Sequence, residues 1–191
     1  MPTLAIHVVW TTYGTWLPGN VRGHWSPLYD IYGNIRESGG KLNVPDQITR
    51  RRAAELMKES PLVLGQEEIS IVADELGRHF VTDVAAIAPG KPGAICYAAG
   101  IEPKHAHLLL GPIEEDISKC VGRLKGTSSS AVLKCSAYQD RQRVWTQGYW
   151  KVFLFDKLAV ASVKKYIDAH NLRRGLKAEP YSWISPCPYF I

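Results

Sequence analysis

The sequence contains four cysteines but no cysteine pair with metal-ligand spacing. Proteins built on a disulfide framework or on a structural zinc site usually show closely spaced cysteines, such as the C-x-x-C pattern. The absence of such a pair argues against both classes, and we expect the thiols to be free and buried. The four residues are Cys96, Cys120, Cys135 and Cys187.

Long apolar runs, internal repeats and low-complexity tracts are also missing. No stretch reaches the ~20 apolar residues that a membrane-spanning helix needs. The first residues lack the basic segment and apolar run that mark a secretory leader. We therefore expect a cytoplasmic protein with no membrane partner. A chain of 191 residues, 46% hydrophobic and 21% charged, is typical of one globular domain.

The net charge of +5 is small, but the basic residues are unevenly distributed. Residues 119–143 contain six Lys and Arg against one acid, and residues 164–177 contain five against one acid. One such cluster alone predicts only a solvated helix face. Two clusters in the C-terminal half favour a polyanionic partner such as a nucleic acid.

The order of apolar patterns predicts an α+β fold of the ferredoxin-like split βαβ type, in which an antiparallel sheet carries helices on one face. Two segments lie outside this pattern: a loop insertion at about 13–60, with a short helix at 50–57, and an aromatic and Pro-rich tail at about 178–191. The predicted strands are 4–12, 94–101, 105–110 and 144–155. The predicted helices are 66–82, one from 117 to a stop or bend at Gly126, and 157–174 with Gly175 as its C-terminal cap.

His105 and His107 form a His-Ala-His pattern on a predicted strand. Side chains at i and i+2 of a strand point to the same face, so the two imidazoles converge. Imidazole is a good ligand for divalent ions, and the pair supplies half of a metal site. An H-x-H pattern is common by chance, so this pattern alone is a weak indicator.

Tyr166 and His170 lie one turn apart on one face of the last predicted helix. Taken locally, they are a tyrosine at the rim of the core and a surface histidine. In a split βαβ sheet, however, the H-x-H strand is central, and a helix packed on that sheet brings His170 towards it. Three imidazoles would leave coordination positions open for a phosphate oxygen and water. A tyrosine phenolate beside them, favoured by Lys164, Lys165 or the metal, would attack a phosphodiester.

Four ordered motifs resemble the single-tyrosine HUH (His-hydrophobic-His) transposases of the IS200-like group and their REP-associated relatives. The motifs are His105 to Leu110, 122–129, 145–150 and Tyr166-Ile167-x-x-His170-Asn171. The resemblance implies a nucleoid-associated enzyme that uses Mg²⁺ or Mn²⁺ to nick and rejoin single-stranded DNA, usually at the foot of a hairpin.

The resemblance also implies a role for each site residue. His105 and His107 bind the metal, and His170 stands where relatives often carry Gln or Asn as the third ligand. Tyr166 becomes linked to the 5′ phosphate. Some relatives are dimers that exchange the tyrosine helix between subunits, and others act as monomers in cis. Lys104 departs from the family, because an Asn is common before the first histidine.

The DNA-binding surface is predicted from basic and hydroxyl side chains. Exposed aromatic residues either stack unpaired bases or pack in the core, and Trp16, Trp25, Tyr149 and Trp150 are the candidates. His7, His24 and His79 show no partner pattern and are predicted to be structural or exposed. The predicted DNA-binding residues are Lys104, Arg123, Lys125, Ser128, Lys164, Lys165, Arg173 and Arg174.

Two other functions remain open from the sequence. One is a binding module that holds hairpin DNA or RNA without cutting it. RNA-recognition sheets need aromatic residues on their central strands, where this chain carries His105 and His107 instead. The other is a replication-initiator-type HUH nickase, a class that usually has additional domains.

Overall fold

The computed structural model describes residues 2–20, 46–81, 94–138 and 140–189. Four strands form one sheet in the order β2-β3-β1-β4, with every neighbouring pair antiparallel. This order is that of the split βαβ fold, so the predicted fold class is confirmed. The strands are β1 (Ala5–Thr11), β2 (Cys96–Ile101), β3 (His105–Leu110) and β4 (Trp150–Leu154).

In the described ranges, four α-helices accompany the sheet: α1 (Gln47–Glu55), α2 (Gln66–Gly77), α3 (Ile117–Leu133) and α4 (Lys157–Arg173). Asp46, Asp116 and Asp156 cap α1, α3 and α4, because each carboxylate accepts one or two backbone N–H groups of the first turn. Gly175 has a φ of 74° and donates its N–H to the Leu172 carbonyl, which confirms the predicted C-terminal cap of α4.

The predicted stop at Gly126 is wrong, since α3 continues to Leu133, and a bend at this glycine stays a prediction. A glycine inside a helix costs about 1 kcal/mol relative to alanine. The buried face of α3 offsets that cost, because Leu124 and Val132, on either side of the glycine, are fully buried in the core.

The two faces of the sheet are covered by different helices. Apolar residues of α2 and α3, such as Leu76 and Leu124, pack with Ile6, Val8 and Trp10 of β1. Helix α4 packs Val160 and Ile167 with Ala98 and Leu109 on the opposite face. The prediction that the helices share one face is therefore correct for α2 and α3 and wrong for α4. Because the second face is also apolar, it too needs a covering helix.

Two predicted elements are shorter in the structure. Strand β4 begins at Trp150 rather than 144, because the carbonyls of residues 146–148 accept hydrogen bonds from Lys125. Helix α2 ends at Gly77 rather than 82, and Phe80 then forms a bridge with Ala94. Within the predicted insertion, residues 21–45 lie outside the described part of the chain, together with His24 and Trp25.

The C-terminal tail packs against the domain beside β2. Ser185 donates its N–H to the Cys96 carbonyl at 2.8 Å and its hydroxyl to the Val81 carbonyl at 3.1 Å. The Trp183 ring stacks on Phe80, with 5.0 Å between the ring centroids. The tail therefore covers one edge of the sheet.

Helix α4 is tied to both the sheet and the tail. The Asn171 amide donates to the carbonyls of Ala99 and Ala178, each at 2.8 Å. The buried Lys164 ammonium lies 2.8 Å from Asp168 and 2.5 Å from Glu179. These contacts hold the tyrosine helix in one position against β2.

Two further predictions from composition can be compared with the structure. All four cysteines are free, and three of them are buried, while Cys135 is half-buried. No helix in the described ranges is long and apolar enough to cross a membrane.

Candidate metal centre and nucleophile

Three histidines converge on the α4 face of the sheet. His105 and His107 point to this face because they alternate with the buried Ala106 along β3, and α4 crosses the same face with His170. One ligand nitrogen from each ring lies within 4.8 Å of the others. Helix α4 passes directly over β2 here, since a methyl group added to Gly100 would lie 3.5 Å from Ile167, in ordinary van der Waals contact.

Two nitrogen atoms of this cluster are buried without a hydrogen-bond partner. They are Nε2 of His107 and Nε2 of His170. Buried polar atoms are normally paired, so two unpaired nitrogens side by side call for a shared partner. A divalent cation fits this requirement because it accepts a lone pair from each imidazole. His105, His107 and His170 are the residues that would hold it.

The other ring nitrogens of the cluster are held by two neighbouring side chains. Glu102 places Oε1 at 2.5 Å from Nδ1 of His170 and Oε2 at 3.2 Å from Nε2 of His105. His7 places its Nε2 at 3.2 Å from Nδ1 of His107. Such contacts fix the tautomer and the orientation of metal-binding imidazoles.

The sequence reasoning missed both of these side chains. His7 was predicted to be structural or exposed, yet it lies on β1 directly against β3. A histidine inside an otherwise apolar central strand was the available signal. Glu102 precedes His105 by three residues in the turn between β2 and β3, and its position on that turn was the corresponding signal.

Burial keeps two of the imidazoles neutral. Desolvation, with the nearby His105, His7 and His170, lowers the pKa of His107 to about 2. Desolvation and His170 lower the pKa of His7 to about 4. At neutral pH both rings are therefore uncharged, and a neutral ring is the form that offers a lone pair to a metal.

Tyr166 lies at the rim of the histidine cluster. Its ring centroid is 4.6 Å from that of His170 and 5.5 Å from that of His107. The residue is 48% exposed, so a polymer on the surface has access to it. Trp150 of β4 stands nearby, with its ring 5.2 Å from His7. The structure thus brings together all four residues that the sequence predicted for the reaction centre.

A family model described as "Transposase IS200 like" matches residues 70–170, which is more than half of the chain and includes His105, His107, Tyr166 and His170. The chain belongs to the IS200-like transposase family. Its members are enzymes that act on DNA, so the predicted family and the prediction of an enzyme that acts on DNA are confirmed.

Similar solved structures include the following two. One is a crystal structure of a Deinococcus radiodurans R1 protein assigned as a transposase, with 15% identity and a TM-score of 0.39, covering 89% of this chain and 92% of that one. The other is a REP-associated tyrosine transposase bound to a REP hairpin, with 11% identity and a TM-score of 0.44, covering 92% of this chain and 70% of that one. The comparison with curated proteins gives no match.

The basic residues predicted to bind DNA divide into two groups in this transposase. Lys104, Lys165 and Arg173 are exposed, and the first two neighbour His105 and Tyr166 in the sequence. Arg123 and Lys125 lie on α3, which packs on the opposite face of the sheet from the histidines.

Several side chains that were predicted to contact DNA instead bind groups of the protein itself. Arg123 binds both oxygens of Glu115, at 2.9 and 2.5 Å. The Lys125 ammonium donates to the carbonyls of Thr146, Gln147 and Gly148 at 2.6, 3.2 and 2.8 Å. Arg174 donates to the Ile101 carbonyl and to Gln66. These side chains therefore stabilise the protein structure through these hydrogen bonds.

Two of the residues predicted to contact DNA are buried, which contradicts the prediction. Ser128 is fully buried, and its hydroxyl donates to the Leu124 carbonyl and accepts from the Trp145 indole. Lys164 is 3% exposed and pairs with Asp168 and Glu179. Neither residue presents a polar group to DNA, and the Lys164 charge is taken up by these carboxylates rather than by the Tyr166 phenolate.

The remaining histidine and aromatic predictions have mixed outcomes. His79 is structural, since its Nε2 lies 2.9 Å from the Thr127 hydroxyl. Trp16 is 37% exposed, and Tyr149 and Trp150 are half-buried. Tyr149 contacts the Ser118 hydroxyl on α3, whereas Trp150 faces the histidine cluster. Trp150 is therefore the candidate for base stacking beside the reaction centre.

Proposed function

We propose that this transposase nicks and rejoins single-stranded DNA through a covalent 5′-phosphotyrosine on Tyr166, with Mg²⁺ or Mn²⁺ bound by His105, His107 and His170. The observation that carries the proposal is the half-exposed Tyr166 ring against the rings of two of these histidines. A nucleophile and three convergent metal ligands on one face are the parts that phosphodiester transfer requires.

In the proposed reaction, the Tyr166 oxygen attacks the scissile phosphorus, and the bond from phosphorus to the 3′ oxygen breaks. The phenolic proton passes to solvent, and the departing 3′ oxygen takes up a proton. The bond to Tyr166 conserves the phosphodiester energy, so the 3′ hydroxyl of another strand can reverse the step and rejoin the DNA. A bound divalent ion would offset the charge that develops on the phosphate oxygens.

The chain's own residues orient this chemistry. Glu102 and His7 hold the ligand imidazoles by the nitrogens that face away from the ion site. Lys104 and Lys165 are exposed beside His105 and Tyr166, where they would bind the backbone phosphates of the incoming strand. The proposed substrate is a strand that carries a hairpin, as the family resemblance implies.

The position of Tyr166 supports attack in cis. Its ring contacts His107 and His170 of its own chain, so one subunit already contains nucleophile and ligands. A homodimer that exchanges the tyrosine helix stays a prediction.

A denaturing gel tests the proposed function. Purified protein is mixed with labelled single-stranded hairpin DNA from the flanks of its gene, with and without Mg²⁺ or Mn²⁺. We expect a covalent protein–DNA band that disappears without the ion and in the Tyr166→Phe and His107→Ala variants. Tyr149→Phe is the matched control, because it removes a hydroxyl that contacts Ser118 on α3.

The other outcomes separate the alternative functions. Tight hairpin binding with no band in any ion would overturn the proposal in favour of a binding module. A band with nicked DNA that is never joined to a second strand would favour a replication-initiator-type nickase. A band that survives Tyr166→Phe would show that another residue is the nucleophile.

A further inference from the structure

The three-histidine site has a donor set that distinguishes between divalent ions. Within the described residues, the cluster of metal-ligating groups consists of His105, His107 and His170 alone, so each ligand atom is an imidazole nitrogen. We propose that this site selects a first-row transition-metal ion, from Mn²⁺ to Zn²⁺, over Mg²⁺. This inference rests on the metal site of the proposed function and not on the tyrosine chemistry.

The nearest carboxylate is occupied with the ligands themselves. Glu102 is only 18% exposed at its side chain, and its two oxygens contact His170 and His105. Both oxygens are therefore engaged with the imidazoles and supply no ligand to the ion while these contacts last. The protein contribution to the first coordination sphere is then three nitrogens.

Nitrogen and oxygen donors favour different ions. Mg²⁺ prefers oxygen ligands in an octahedral arrangement and gives up its water reluctantly. Imidazole suits the later ions, and affinity for a nitrogen site rises from Mn²⁺ through Co²⁺, with Zn²⁺ also tight. A site of three imidazoles without a protein oxygen should therefore bind Mg²⁺ more weakly than any of these transition-metal ions.

The local electrostatics act in the same direction. The ligand set of His105, His107 and His170 offers lone pairs but no negative charge to balance a strongly hydrated cation. Nε2 of His107 and Nε2 of His170 are buried and unpaired, so an ion must shed water to reach them. For Mg²⁺, the bonds to nitrogen are weak and offset the lost hydration least.

Electron paramagnetic resonance of Mn²⁺ measures the selectivity directly. The intact protein is titrated with Mn²⁺, and Mg²⁺, Co²⁺ or Zn²⁺ is then added as a competitor. We expect Mn²⁺ to bind at least about tenfold more tightly than Mg²⁺, and Co²⁺ and Zn²⁺ to displace it. The visible spectrum of the Co²⁺ protein provides a second readout, since nitrogen ligands change its intensity and position.

One substitution tests whether the third imidazole causes the ion selectivity. His170→Gln replaces the third nitrogen donor by an amide, and we expect it to lower the ratio of Mn²⁺ to Mg²⁺ affinity by about tenfold. His79→Gln is the matched control, because His79 contacts Thr127 away from the cluster and should leave the ratio unchanged. Equal Mn²⁺ and Mg²⁺ affinities in the unmodified protein would overturn the inference.

The gel assay separates this inference from the proposed function. Equal ion affinities together with a covalent band would overturn the selectivity and leave the tyrosine chemistry in place. Selective Mn²⁺ binding without a covalent band in any ion would support the selectivity and overturn the nicking activity.

Discussion

Glu102 and His170 are joined by a hydrogen bond of 2.5 Å between Oε1 and Nδ1, across the contact between the β2–β3 turn and α4. The second carboxylate oxygen lies 3.2 Å from Nε2 of His105. One side chain thereby fixes a ligand from the sheet and a ligand from the helix. Glu102 therefore couples the positions of these two ligands.

Removal of this carboxylate should weaken metal binding. We expect Glu102→Ala to raise the Mn²⁺ dissociation constant by about 10- to 100-fold, because the two imidazoles lose their common anchor. Glu102→Gln should recover part of the loss, since its amide oxygen still accepts one hydrogen bond. The measurement is a Mn²⁺ titration by electron paramagnetic resonance. Glu114→Gln, at an exposed glutamate, is the control, and equal affinities for all three variants would refute the role.

His7 should support metal binding more than it supports the fold. We expect His7→Leu to lower Mn²⁺ affinity by about tenfold, because Nδ1 of His107 loses its partner at 3.2 Å. The thermal midpoint of the metal-free protein should fall only modestly, because leucine adds apolar burial inside β1 while Nδ1 of His107 is left unpaired. Calorimetry of the metal-free protein gives the midpoint. A large drop in the midpoint with unchanged Mn²⁺ affinity would show that His7 is only structural.

Lys125 should act on stability rather than on DNA affinity. Burial lowers the pKa of this ammonium to about 8, so it is still charged at pH 7 and donates to three carbonyls. We expect Lys125→Met to cost about 1.5–3 kcal/mol of unfolding free energy in urea denaturation. Lys119→Met, at an exposed lysine of the same helix, should cost less than about 0.5 kcal/mol. A loss of DNA affinity without a loss of stability would contradict this assignment.

Lys104 and Lys165 should contact backbone phosphates. We expect the double variant Lys104→Gln/Lys165→Gln to reduce the salt dependence of DNA binding by about one to two units of slope, because each contact releases a counterion. Lys134→Gln is the control, since this exposed lysine ends α3 on the other face of the sheet. Fluorescence anisotropy over a range of salt concentrations gives the slope. Equal slopes for the double variant and the unmodified protein would place the DNA elsewhere.

The sequence predicted the parts of the site that depend on periodicity. The i, i+2 spacing of His105 and His107 and the i, i+4 spacing of Tyr166 and His170 are local, and the bounds of β3 were predicted without error. The partners of these residues depend on which strands pair and in which register. His7 and Glu102 were missed for this reason, because only the assembled sheet brings β1 and the β2–β3 turn to the cluster.

The helical positions of Ser128 and Lys164 in the sequence explain why their predicted DNA contacts are wrong. Ser128 follows Leu124 by four residues and Val121 by seven, which is the spacing of the buried face of α3. Lys164 follows Val160 by four and precedes Ile167 by three, on the buried face of α4. Both were placed at the surface because of their residue type, whereas their helical position decides their burial.

Because α4 is anchored to the C-terminal tail, the two segments would have to be exchanged together in any domain-swapped dimer. Asn171 and Lys164 bind residues 178 and 179, and Ser185 continues along the edge of β2. Residues 157–189 would therefore have to move as one unit. Such a departure uncovers the edge of β2, which only the tail of the other subunit could close again. A swapped dimer of this chain must thus be reciprocal and closed, and a partial swap would leave an open strand edge prone to polymerise.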